Sequence, residues 1–266
     1  MTVHYELHDH VVTLTIDRYE RRNAIDPEHA EAIVAGWERF RDDPEARVAI
    51  ITGVKDAFCS GGDLKHMEDI ARELATSGRS PTRDRMSNHG RGGFTLKGFD
   101  LYKPVIAAVN GHCMAGGMEL LGGTDIRIAS STAVFSITEP RRGLFAGGGT
   151  TARLPRQLAW PAAMELLLVA GRVSADRALR LGLVNDVVAP DALMETARRW
   201  ALEIAENAPL AVQATKKSAL LGLAAGSLAE AYRIEDACSD DVFRSEDAQE
   251  GARAFLEKRT PVWKGR

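Results

Sequence analysis

Two glutamates and two glycine-rich turns carry the chemistry this sequence offers. Glu119 follows Ala115-Gly116-Gly117-Met118, and Glu139 comes twenty residues later, ahead of Gly147-Gly148-Gly149-Thr150. A similar turn, Ser60-Gly61-Gly62-Asp63, lies upstream. A glycine pair lets the backbone turn tightly and approach a ligand. A helix starting there leaves N–H groups unpaired, and these attract negative charge. Two such turns together present two backbone donors to one oxygen, and removing one oxyanion donor typically costs about 3–4 kcal/mol of transition-state stabilisation. With two carboxylates nearby, the set suits proton chemistry beside a carbonyl. Each residue also has a plainer reading alone: Glu119 complements a helix dipole, Glu139 is a solvated loop residue, and Asp63 caps the helix beginning at Leu64. The combination is what points to catalysis.

Other chemistries fit less well. Gly143–Gly149 lacks G-x-G-x-x-G and the P-loop pattern with its Lys, which argues against a phosphate cradle. A hydrolase elbow around Ser60 needs Gly at position 58, which is Phe58. Cys59, Cys113 and Cys238 form no C-x-x-C pair, so neither a disulfide framework nor a zinc knuckle is expected. His4, His8 and His10 lie on an alternating segment and are expected to face solvent; no metal site is expected. A net charge of −3 gives no support for nucleic-acid binding. With no signal-peptide pattern and no bilayer-length apolar run, the expectation is a cytoplasmic protein without a membrane partner.

The elements that must position these groups follow from periodicity. At 266 residues, 45% hydrophobic and 27% charged, the chain suits one large globular domain, with or without an appendage. Val12, Leu14 and Ile16 alternate as in a half-buried strand. Asp26-Pro27 opens a helix running to about Arg41. Apolar runs at 48–52 and 105–109 predict buried strands, and the first leads into the turn after Phe58. Thr76–Gly93, rich in Gly, Ser and Arg, predicts a long mobile loop that acts as a lid or binding loop, or is a plain surface insertion. Helices are predicted over 161–170, 174–181 (stopped by Gly182), 192–206, 209–223, 227–239 (capping box Ser227-x-x-Glu230) and from Ser245 to Glu257, with a short strand over 183–188. The chain thus divides at about residue 190. A mixed core spans 1–190 and a helical region spans 191–266, whose apolar faces need a partner surface.

Taken together, these residues closely resemble the crotonase superfamily, the enoyl-CoA hydratase/isomerase family, over nearly the whole chain. The most specific match is Lys103-Pro104-Val105-Ile106-Ala107-Ala108-Val109-Asn110-Gly111 with Gly116-Gly117-x-Glu119-Leu120 and Asp125. Others are Ala57-Phe58-x-x-Gly61-x-Asp63-Leu64-Lys65, Phe135-x-x-x-Glu139-x-x-x-Gly143-Leu144, Gly148-Gly149-Thr150-x-x-Arg153-Leu154 and Phe255-x-Glu257-Lys258-Arg259. The resemblance implies an α/β fold, a spiral of ββα units with a helical C-terminal trimerisation region, assembled as a homotrimer or homohexamer. It implies an enoyl-CoA hydratase, a hydro-lyase adding water across the α,β double bond of an acyl-CoA thioester. Ser60 and Gly116 would supply the oxyanion-hole amides, Glu119 and Glu139 the two catalytic carboxylates, and Gly147 a water-positioning amide. Ala24, Gly61, Gly62, Asp63 and Leu64 would line the CoA path. Phe255 and Lys258 would meet its adenosine phosphate, typically from a neighbouring subunit. No separate cofactor is implied, since coenzyme A is part of the substrate.

The chain departs from the common hydratase pattern at Thr138, Phe145-Ala146 and Arg141-Arg142, beside the expected acid, which leaves the acyl group open. Asp247-x-x-Glu250-Gly251, the ending Arg259-x-Pro261-Val262-Trp263-Lys264-Gly265-Arg266, the run Phe40-Arg41-Asp42-Asp43-Pro44 and residues 47–53 resemble carnitinyl-CoA dehydratases. The alternatives are therefore such a dehydratase or a hydratase of a bulky acyl-CoA such as a sterol side chain, an enoyl-CoA isomerase, and a non-catalytic acyl-CoA-binding protein.

Overall fold

A computed structural model describes residues 3–87 and 93–266. The chain opens with an antiparallel hairpin, β1 (Val3–His8) and β2 (Val11–Ile16), followed by α1 (Pro27–Asp42). Asp26 caps α1 by accepting the His29 N–H at 2.9 Å, and Pro27 takes the position where no N–H is needed. Three similar units follow: β3 (Val48–Gly53), β4 (Ala57–Cys59) and α2 (Leu64–Ser77), with α3 (Pro81–Met86) appended; β5 (Val105–Val109), β6 (His112–Met114) and α4 (Gly116–Leu121); β7 (Ile126–Ser130), β8 (Val134–Ser136) and α5 (Thr150–Gln157). Then come α6 (Trp160–Met164), β9 (Val173–Ser174), α7 (Ala175–Leu181), β10 (Asp186–Val188), α8 (Leu193–Ala205), α9 (Pro209–Ala224), α10 (Leu228–Phe243) and α11 (Glu246–Glu257).

In each unit the first strand joins one sheet and the second strand the other. The larger sheet runs β1-β2-β3-β5-β7-β10, and the smaller β4-β6-β8-β9. Within them β3, β5 and β7 pair in parallel, as do β4, β6 and β8. This is the expected ββα spiral. It stacks the strand ends of successive units, so that turns far apart in sequence become neighbours.

Both faces of the larger sheet are covered, which is why its central strands are apolar without alternation. Ala49 and Ile51 of β3 face a core with Trp37, Phe40, Phe58 and Phe135, while Val48 and Ile50 face a second cluster with Ile106 and Ile128. That second cluster is closed by α8 through Leu193, Ala197, Ala201 and Ala205. Alanine at every fourth position lets this helix lie close on the sheet. The division at residue 190 therefore cuts through the packing, because α8 is a layer of the core. Beyond it, α9–α11 leave large apolar side chains in solvent, including Leu223, Leu228, Phe243 and Leu256.

The predicted loop over 76–93 is largely helical where described. α2 runs to Ser77 and ends at Gly78 in the left-handed region, and Ser80-Pro81 starts α3. Glu73 ties the two helices, accepting from Ser80 Oγ and from Thr82 Oγ1. Ser-Pro is a helix-start signal in itself; its Gly- and Arg-rich surroundings hide it. Residues 88–92 of that stretch lie outside the described residues. The predicted helix over 161–170 widens into a π turn at Glu165–Val169 and stops at Ala170, φ 52°. Among the described residues no helix is long and apolar enough to cross a membrane.

Candidate active site

The two glycine-rich turns leave neighbouring strands of the smaller sheet. β4 delivers Ser60–Asp63 and β6 delivers Ala115–Gly117, each opening a helix. They touch backbone to backbone: a Cβ on Gly116 would lie 3.3 Å from Gly62 N, and one on Gly61 only 2.7 Å from Ala115 Cβ. Gly61 also has φ 102°, so glycine is required there twice over. Ala115 is held at φ 49°, and its N–H is anchored on the Ser136 carbonyl at 2.9 Å. Strain of this kind costs about 1–3 kcal/mol and clusters where geometry serves function.

The Ser60 amide is not free for the oxyanion role expected of it. It donates to the Arg22 carbonyl at 3.1 Å, and Ser60 Oγ donates to the Arg21 carbonyl at 3.2 Å. The free amide lies two residues on. Ile25 N–H donates to the Gly61 carbonyl and Asp63 N–H to the Ile25 carbonyl, both at 2.8 Å. In such a parallel bridge the N–H of the paired residue, here Gly62, points away from its partner. Neither Gly62 nor Gly116 has an acceptor for its N–H among the described residues, and Gly116 lacks one because it is the first residue of α4. Sequence reasoning placed Gly62 on the CoA path and missed its amide; the bridge to Ile25 is a long-range contact that the local motif does not reveal.

Arg18, also missed, fixes this turn from behind. Its guanidinium reaches Asp63 at 2.9 Å, Asp26 at 3.2 Å and the Ala24 carbonyl at 3.0 Å. Asp26 and Asp63 cap α1 and α2, so one half-buried cation joins two helix starts around the Gly61-Gly62 turn. Burial alone would raise both carboxyls, but backbone and side-chain hydrogen bonds and the Arg18 charge leave them below the usual range.

Glu119 stands in the first turn of α4, and Glu139 opens a 3-10 turn, Glu139–Arg142, after β8. Glu119 accepts the Gly148 N–H. The Gly148 carbonyl accepts from Thr95 Oγ1 at 2.8 Å, and Arg153 donates to the Thr95 carbonyl at 2.8 Å and to the Glu119 carbonyl at 3.3 Å. The contacts close a ring around the carboxylate. Lys97 adds a bond to the Gly147 carbonyl at 2.7 Å. Glu139 is 7% exposed, and its Oε2 has no partner among the described residues. Burial pushes Glu119 up to about 7, opposed by the Gly148 amide and reinforced by the charge of Glu139. Burial raises Glu139 as well. The charge of Glu139 is thus felt at Glu119, and removing it should lower the Glu119 pKa.

Both glutamates line one cavity of about 1700 Å³ with Ser60, Gly62, Gly116 and Gly147. Its apolar wall comes from α2, which buries no residue and turns Met67, Ile70 and Leu74 toward the cavity opposite Phe94 and Leu144. Ala24, Asp63 and Leu64 also line it, whereas Gly61 lies behind the turn, with its N–H on Cys59 Sγ at 3.4 Å. The Asp63 carboxylate is committed to Arg18 and the Lys65 N–H. Phe255, 83% exposed, and Lys258, which ends α11 at φ 54°, do not line the cavity of their own chain. Burial pushes the Cys59 thiol up to about 12 and Cys113 well above its usual value, which removes both as nucleophiles at neutral pH. His4 is exposed and pairs with Asp17 at 3.0 Å. Among the described residues no group of three or more His, Cys, Asp or Glu is placed to hold a metal ion.

Two free amides face one cavity with a buried and a half-buried carboxyl, a set suited to proton chemistry beside a carbonyl whose oxygen the amides hold. The family model of enoyl-CoA hydratase/isomerase matches residues 6–266. The chain is 39% identical over its full length, and that of the relative, to (E)-benzylidenesuccinyl-CoA hydratase of Thauera aromatica. It is 39% identical to carnitinyl-CoA dehydratase of Citrobacter koseri, covering 100% of this chain and 99% of that one. A crystal structure of enoyl-CoA hydratase from Bacillus anthracis superposes with a TM-score of 0.89 at 32% identity over 100% of both chains. One from Mycobacterium marinum gives 0.88 at 36% over 99% of each. The chain belongs to the enoyl-CoA hydratase/isomerase family of the crotonase superfamily, and it is a hydro-lyase of that family.

Proposed function

We propose that the protein adds water across the α,β double bond of an enoyl-CoA thioester through Gly62, Gly116, Glu119 and Glu139. The observation that carries this reading is the convergence of two unpartnered amides, the half-buried Glu119 carboxyl and the buried Glu139 carboxyl on one cavity. The thioester oxygen takes the Gly62 and Gly116 N–H groups. As water attacks Cβ, charge moves onto that oxygen as an enolate, and donors already fixed in place stabilise it without reorganising. Glu119, held by the Gly148 amide, orients the water and takes its proton, and the Gly147 amide helps to place that water. Glu139 delivers a proton to Cα. Burial raises both carboxyls, Glu119 to about 7, which suits groups that exchange protons near neutrality.

The same groups run in reverse as a dehydratase, so the carnitinyl-type relatives change the acyl group and leave the machinery unaltered. Ala24 and the turn at 61–64 guide the CoA arm, and Phe255 and Lys258 act at a neighbouring subunit. The exposed apolar side chains of α9–α11 support a homotrimer or homohexamer. No cofactor or metal takes part, and the setting is cytoplasmic acyl-CoA breakdown of the β-oxidation type. The test is hydration of crotonyl-CoA, followed by loss of absorbance of the conjugated double bond. Glu119→Gln and Glu139→Gln are each expected to lower kcat by about 10²- to 10⁴-fold with little change in KM. Near-normal turnover in both variants overturns the assignment.

A further inference from the structure

Arg141 and Arg142, the departure beside Glu139, have no part in the reaction above. In the structure both line the cavity, joined by Arg172. Arg141 reaches the Val169 carbonyl at 3.4 Å, which brings it to the segment that carries Arg172, and Arg142 reaches the Thr138 carbonyl at 3.4 Å. These are long contacts to neutral oxygens. Among the described residues no carboxylate lies within ion-pair distance of any of the three, whereas Arg18, Arg85 and Arg177 are each paired at 2.9 Å or closer. The three guanidinium groups are exposed along the cavity, with Arg142 in electrostatic reach of Glu139, and an anion that accepts their paired N–H groups complements them.

Coenzyme A brings its own anions, but they sit at the nucleotide end, a whole pantetheine arm from the thioester. A separate pair, Arg21 and Arg22, lines the cavity beside Ala24 and Ser60, the side that the proposed function gives to that arm. Arg142 instead shares the single 3-10 turn of Glu139, the group that works at Cα. An anion held there is a few atoms from the double bond, and therefore belongs to the acyl group. We infer that Arg141, Arg142 and Arg172 receive a carboxylate on the acyl chain, so that the preferred substrate is the monothioester of an unsaturated dicarboxylic acid. This rests on the hydratase reading for the placement of the acyl carbons.

Binding of saturated thioesters tests it without requiring turnover. Butyryl-CoA is compared calorimetrically with glutaryl-CoA, which carries a carboxyl on the terminal carbon, and with 2-(carboxymethyl)butyryl-CoA, which carries one beside Cα. At least one carboxylated thioester is expected to bind about tenfold tighter than butyryl-CoA or better, about 1.4 kcal/mol. That preference should shrink to within about threefold in the Arg141→Gln/Arg142→Gln double variant and, separately, in Arg172→Gln. Equal affinity for all three thioesters in the unaltered protein overturns the inference. So does an equal loss for all three, and for free CoA, in the variants, which assigns the arginines to CoA phosphates. Hydration of glutaconyl-CoA against crotonyl-CoA gives the kinetic counterpart. Turnover of neither breaks the hydratase reading, while the binding comparison still decides this one.

Discussion

The two carboxyls of the site are alike in chemistry and opposite in support. Glu119 sits on a helix, half-buried, with a backbone donor on its carboxylate and a closed ring of contacts behind it. Glu139 sits on a single 3-10 turn, more deeply buried, with one oxygen unpartnered among the described residues. Donors favour the ionised form of both, the Gly148 N–H at Glu119 and the backbone N–H groups of Thr138 and Glu139 with the Arg142 charge at Glu139, while burial raises both, Glu119 to about 7. On the proposed assignment the group tethered across the fold takes a proton from water, and the group held by its own turn carries a proton to carbon.

The comparison breaks most sharply if the roles are separated experimentally. Exchange of the α-protons of butyryl-CoA in D₂O needs only the group at Cα. Glu139→Gln is expected to abolish it, by 10³-fold or about that, while Glu119→Gln keeps it within about tenfold of the unaltered enzyme. The reverse pattern would exchange the two assignments. Next in size is Gly148→Ala. A Cβ there would lie 2.5 Å from Glu119 Oε2, so the carboxylate must move or the 147–149 turn must open. Hydration should fall about 100-fold while CoA-thioester affinity holds, since a misplacement of this order typically costs that much.

The pH profile sharpens the contrast further. Titration of Glu119 gives kcat/KM a limb near pH 7, and titration of Glu139, whose pKa burial also raises, gives the other. Because the charge on Glu139 raises Glu119, the residual activity of Glu139→Gln should show its acidic limb at lower pH. Stability carries the same signature. Glu119 is raised in the folded state from 4.5 to about 7, so the folded chain binds more protons than the unfolded one between those values and loses stability as pH rises through them. Removing that loss, Glu119→Gln should be more stable than the unaltered protein at pH 8, by about 3 kcal/mol at most, and no more stable at pH 4. Chemical denaturation at the two pH values reads this directly.

Local signals carried much of this architecture. The caps at Asp26, Ser227 and Ser245, the apolar runs of β3 and β5, and the glycine turns after β4 and β6 are all local in origin, and the family motifs held both glutamates in order. What escaped is what depends on distant partners. Ser60 and Gly62 differ by two positions in a glycine-rich turn, and only the bridge to Ile25 decides which amide is free. The donor on Glu119 is Gly148, inside a run of three glycines that looks uniform in sequence. Arg18, Thr95 and Arg153 act through contacts across 34–58 positions of chain, which no periodicity encodes. α8 reads as tail because its alanines are inconspicuous, although they are what lets it close on the sheet.

Thr95 gives the smallest effect and the closest test of the tether. It is buried, and its hydroxyl serves the Gly148 carbonyl rather than Glu119 itself. Thr95→Val keeps the volume and removes the donor, leaving that carbonyl short of a partner, at a typical net cost of about 1 kcal/mol. If the ring positions the base, kcat falls about three- to tenfold, KM is unchanged and the acidic limb of the profile moves. Thr95→Ser, which keeps the hydroxyl, restores all three. A lower melting temperature with an unmoved profile would instead make Thr95 a packing residue. In that case the donor on Glu119 would be maintained by Arg153 and the glycine turn alone.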